Sequence, residues 1–97
     1  MIMKVKVFKL LDGTELIAEQ VHTFDQFLEL KSPAVIVLQK TERGVGVALA
    51  PYMPYVEGNY KVMRSAIVVD GEPNIQMQNE YSRIFGSGIQ IVSAGAI

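Results

Sequence analysis

Apolar and polar residues alternate along the first third of the chain. In KVKVFKL (residues 4–10), Val5 and Val7 fall on one side and Lys4 and Lys6 on the other, the period of two that marks a strand. Asp12-Gly13 follows, a tight-turn pair in which Gly accepts positive φ and Asp hydrogen-bonds nearby backbone. Residues 14–23 (TELIAEQVHT) read as the returning strand of a hairpin. Asp25-Gln26 predicts a second turn. FLEL (27–30) alternates again, with Leu28 and Leu30 inward and Phe27 outward. Ser32-Pro33 interrupts this pattern without ending the sheet, because proline is tolerated at edges and bulges. Ala34 to Leu38 is continuously apolar, which predicts burial on both faces. Gln39 to Gly44 (QKTERG) reads as a charged loop, and Val45 to Tyr55 as a fourth strand ending in a proline-aromatic corner. Glu57-Gly58-Asn59 predicts a turn, and Tyr60 to Val69 a fifth strand closed by Asp70-Gly71.

After Pro73 the period changes. Met77, Tyr81, Ile84 and Phe85 fall on one face of a helix. Pro73 suits its first turn and Gly86 its C-terminal cap. Glu72 near its start and Arg83 near its end complement the helix dipole. GIQIV (88–92) suits a short strand or an arm onto a neighbour. The pattern predicts one domain, all-β with one helix. A small, strongly bent five-stranded antiparallel barrel covers about residues 3–70, a C-terminal helix about 73–86, and a tail 87–97.

Composition adds a partner to this picture. Of the 97 residues, 49% are hydrophobic and 20% charged, against about 25% charged in ordinary domains. A domain this small has a high surface-to-volume ratio and needs a polar skin. The apolar excess therefore predicts surface covered by a partner, most simply another copy of the chain. The net charge of −1 excludes a strongly basic nucleic-acid glove and a polybasic membrane patch. The absence of Cys excludes disulfides, thiolate metal sites and a Cys nucleophile. The charge-free run Gly44 to Val56 contains Pro51 and Pro54 and is too short for a membrane helix. MIMKVKVFK lacks the hydrophobic region of a signal peptide. A cytoplasmic protein with no membrane partner is expected.

The chemistry-bearing residues point away from an enzyme, and no cofactor or metal is expected. His22 is the single histidine, and its place on an alternating strand suits surface exposure better than catalysis. Glu15, Glu19, Glu29 and Glu80 are scattered. Ser65, Ser82, Ser87 and Ser93 lack a nucleophile-elbow setting, and neither Gly44-Val45-Gly46 nor Gly86-Ser87-Gly88 forms a phosphate loop. Tyr52, Met53, Tyr55 and Tyr60 cluster around Pro51 and Pro54, as a packed corner, a subunit contact or a recognition surface. An outward Phe27 beside a turn suits stacking on a nucleobase or a subunit contact.

Val5-Lys6-Val7-Phe8-Lys9-Leu10-Leu11-Asp12-Gly13, followed by Phe24-Asp25-Gln26-Phe27-Leu28-Glu29-Leu30, resembles the first motif of the Sm-like (LSm) family. The likeness is to small phage-type members, which end in Gly-Ile segments like Gly88-Ile89. It implies a strongly bent five-stranded barrel whose fourth and fifth strands pair edge to edge with neighbours, giving a homo-oligomeric ring of five to seven subunits. Three departures stand out. Glu29 occupies the place of the family's base-reading Asn, and a carboxylate lacks the amide's donor. The second motif, Arg-Gly, has its nearest counterpart in Arg64-Ser65, with Arg83 a further candidate. The family's N-terminal helix is missing, and the predicted helix is C-terminal.

The leading expectation is a ring that binds single-stranded RNA. Phe27 would stack a base, Glu29 or a backbone group would touch its edge, and Arg64, joined by Lys31, would neutralise phosphate. One such pocket is weak, but several on a ring bind one strand at high effective concentration. The alternative is a scaffold ring that binds protein through the tyrosine cluster or the helix, without RNA. A hydrolase built on carboxylates around His22 is the third and weakest reading.

Overall fold

The structure, a computed structural model, describes residues 4–85. Strands β1 (Val5–Leu10) and β2 (Glu15–Thr23) form the first hairpin. Its turn works as the sequence predicts: Gly13 has φ 93°, and the Asp12 carboxylate accepts the Thr14 N–H at 2.9 Å. Strand β3 (Phe27–Thr41) pairs with β2 along one edge. Along its other edge, Phe27–Leu30 pairs with β5 (Tyr60–Met63), and Ala34–Thr41 with β4 (Gly44–Pro51). A 3-10 turn, Arg64–Ala66, then leads to β6 (Ile67–Gly71), which lies beside β1. All pairings are antiparallel. The segment from β5 to β6 carries the chain from the edge of β3 to the edge of β1, so the sheet curls into a small bent barrel. Helix α1 (Ile75–Phe85) follows. This is the predicted class, mostly β with one C-terminal helix.

The core has two parts. Inside the barrel, Phe8, Ala18, Leu28 and Leu30 pack with Tyr60, Val62 and Ile67. On the other side of the sheet, Val5, Ile17, Ala34 and Tyr81 pack with Val7, Met77 and Phe85. Both faces of β1 are thus used. The row that carries Lys4 and Lys6 continues into Phe8 and Leu10 and faces the barrel interior. Lys6 reaches its mouth and pairs with Asp70 at 3.4 Å.

Strand β3 divides its two sets of partners at Ser32, whose φ of 51° lies in the left-handed region. The bend lets one continuous strand serve β5 before the proline and β4 after it. The Tyr81 hydroxyl donates to Ser32 O at 2.8 Å and Lys31 O at 3.1 Å, so the helix clamps the bend. The helix begins at Ile75 rather than at 73, because Asn74 caps it: its side-chain oxygen accepts the Met77 N–H at 2.8 Å. Gly86 and the tail lie outside the described residues.

Three boundaries differ from expectation. Gln39 to Gly44 is not a loop: β3 runs through Thr41, Glu42-Arg43 make the turn, and Gly44 already pairs with Thr41. The Thr41 hydroxyl accepts the Arg43 N–H and donates to Gly44 O, and surface charges do not oppose a solvent-exposed hairpin. The fourth strand ends at Pro51, not Tyr55; Tyr52–Val56 form a corner in which Met53 has φ 50° and its carbonyl accepts the Tyr60 hydroxyl. The fifth strand is split by the 3-10 turn. The expected burial of Ala34 to Leu38 holds at Ala34, while Val37 and Leu38 are 39% and 66% exposed. No helix among the described residues is long and apolar enough to cross a membrane.

Candidate functional site

The β2–β3 turn and the outer face that follows it gather the chemistry. Leu28 and Leu30 point into the barrel, so the period of two sends Phe27, Glu29 and Lys31 to the other face. Phe27 is half-buried, and its ring stacks on that of Phe24 with centroids 4.6 Å apart. The Lys61 ammonium lies 5.6 Å from the Phe27 centroid, within cation–π range. Phe24 is 42% exposed and presents the outward aromatic surface of the pair. Sequence reasoning singled out Phe27 alone. The signal it missed was a second Phe flanking the Asp25-Gln26 turn, which a tight reversal brings back onto Phe27; the Phe24 N–H donates to Phe27 O at 2.8 Å.

Glu29 sits next in this row, in register with His22 on β2 and Lys61 on β5. Its two oxygens are held separately: Asn59 Nδ2 donates to Oε2 at 2.8 Å, and His22 Nδ1 lies 3.4 Å from Oε1. The Asn59 bond above all, with the His22 contact, holds the Glu29 carboxyl below its ordinary value of 4.5. Its contribution to stability is therefore present above that ordinary value and falls away as pH drops through the lower native one. Asn59→Ala is expected to move the Glu29 pKa upward, and a carboxyl-carbon NMR titration checks it; an unchanged midpoint would show that Asn59 does not orient the carboxylate.

Arg64 reaches the same turn from a distant part of the sequence. Its backbone N–H donates to Gln26 O at 2.9 Å, and its guanidinium Nη1 donates to Phe24 O at 3.1 Å. It also lines a hollow of about 260 Å³ with Lys6, Gln20, Thr23 and Asp70. Lys6 was not expected there, because the alternating pattern does not say that its row faces the barrel mouth. Lys31 does not join Arg64. Arg64 follows Met63 at the Phe27 end of the β3–β5 pairing, whereas Lys31 lies past Leu30 at the other end. Lys31 instead borders a second hollow, of about 370 Å³, with Asn59, Tyr60 and Phe85.

The structure thus brings Phe24, Phe27, Glu29 and Lys61 onto one surface, with Arg64 at its end. His22 is exposed and engaged with Glu29; among the described residues no group of three His, Cys, Asp or Glu side chains is placed to hold a metal ion. Arg83, the further candidate for the second motif, lies on α1 paired with Glu80, on a different element from this surface. Tyr52 and Tyr60 are half-buried with ring centroids 6.5 Å apart, a packed corner, while Tyr55 is exposed. No protein-family model matches the chain, and no curated protein matches it.

Proposed function

We propose that the protein is an Sm-like subunit that assembles into a ring and binds single-stranded RNA at the β2–β3 turn of each copy. One observation carries this reading: the Phe24–Phe27 stack and Arg64, 37 or more residues apart in the chain, are tied together by two hydrogen bonds from Arg64 to that turn. Stacking aromatics beside a cation are the elements of sequence-tolerant single-strand binding. Assembly is supported by the sheet's two outer strands. Among the described residues, β4 and β6 each pair on one edge only and carry exposed Val45, Val47, Val68 and Val69. Such apolar edges are a liability that edge-to-edge pairing in a closed ring removes.

Phe27→Ala and Phe24→Ala are each expected to weaken binding of a short oligo-U by about 1–3 kcal/mol per stacked base, with the oligomer intact by native mass spectrometry. Unchanged affinity in both variants would remove the turn from the binding site. The near-neutral charge predicts a shallow salt dependence, since few phosphates are neutralised. The scaffold reading draws support from Glu29, an anion in the middle of the surface. It predicts an oligomer that stays bare when mixed with RNA at low salt.

A further inference from the structure

We propose that this surface selects guanine among the RNA bases, with Glu29 as the specificity-determining residue. The inference rests on the RNA-binding reading above and names the base it would prefer. An ionised carboxylate only accepts hydrogen bonds. Guanine alone among the four bases presents two adjacent donors, N1–H and the N2 amino group, on its Watson–Crick edge. Uracil presents a single N–H between two carbonyl oxygens, each of which a carboxylate repels. Adenine and cytosine each present one amino group beside a ring nitrogen that is an acceptor.

The geometry suits a paired contact. Glu29 is two residues beyond Phe27 on the same face of β3, a separation of about 7 Å along a strand, so a purine stacked on the aromatic pair can turn its edge toward the carboxylate. The carboxylate is oriented from both sides, by Asn59 on Oε2 and His22 on Oε1. Each oxygen keeps a further lone pair for an incoming donor. Among the described residues no Lys or Arg nitrogen lies within salt-bridge distance of Glu29, so no fixed cation competes with that ligand. The Lys61 ammonium and the Asn59 amide supply donors on the same surface for the guanine O6.

Fluorescence anisotropy at low salt tests this with labelled seven-base oligonucleotides that differ only in the central base on a uridine background. Central guanine is expected to bind about ten-fold more tightly than central uridine, the scale of one good bidentate base contact. Central inosine, which lacks the N2 amino group, should lose most of that gain. Glu29→Gln should bring the guanine-to-uridine ratio close to one. Equal binding of all the oligonucleotides would overturn guanine selection and leave the RNA reading standing. Binding of none of them would overturn both.

Discussion

Tyr81→Ala is expected to destabilise the protein by about 3–5 kcal/mol, the usual cost of truncating a fully buried aromatic side chain. Tyr81 is 1% exposed and is the largest of the fully buried side chains. It joins α1 to Val5, Ile17 and Ala34, and its hydroxyl holds the bend of β3. In a domain of this size such a loss lowers the melting temperature on the order of 20 °C. Tyr81→Phe keeps the ring and removes only the hydrogen bonds to Lys31 O and Ser32 O, which costs about 1 kcal/mol. Thermal melts of the two variants separate packing from clamping. A Tyr81→Ala protein that melts like the parent would show that the helix is no part of the folding unit. Burial pushes the Tyr81 hydroxyl above the ordinary phenol value of 10.0. The native state then keeps a proton that the unfolded chain gives up. Stability is complete below that ordinary value and declines as pH rises above it. Tyr81→Phe should flatten this alkaline decline.

In the proposed ring, Val69→Lys is expected to convert the oligomer into monomers while leaving the barrel folded. Val69 is 56% exposed on β6, so in the monomer the substitution removes little buried area. In a ring that pairs β6 of one copy with β4 of the next, it puts a charge beside Val45 and Val47, where an unpaired ammonium is costly to bury. Native mass spectrometry reads the assembly, and circular dichroism checks the fold. An oligomer that survives would exclude this edge from the contact. Under the proposed RNA-binding reading, affinity should fall with assembly, because a ring of weak single sites gains its strength from effective concentration.

Much of the fold was legible along the chain. The β1–β2 hairpin, its Asp12-Gly13 turn, the inward Leu28 and Leu30, and the Tyr81 face of the helix all follow from local periodicity and turn chemistry, which depend on neighbours in sequence. Strand ends were less legible. Whether Gln39–Thr41 continues a strand depends on the partner it meets across the hairpin, and Gly44–Gly46 supply that partner from the far side of the turn. The break at Arg64 has a similar origin: the chain must pass from the edge of β3 to that of β1, and only barrel closure demands it.

The site divides in the same way. Strand parity put Phe27 and Glu29 on one outer face, because that relation is local. The Asn59 and His22 grip on Glu29 and the position of Lys61 over Phe27 depend on the register of three strands, which no short window contains. Lys31 and Arg64 illustrate the difference. Each is a basic residue in a suitable segment, yet the β3–β5 pairing sends them to opposite ends of the surface and brings Arg64 alone to the β2–β3 turn. Alternation and turn residues specify what each segment becomes, because they act over a few bonds. Which segments meet, and therefore which charges share a surface, is decided by closing the sheet, where hydrogen-bond register and burial act on the whole chain together.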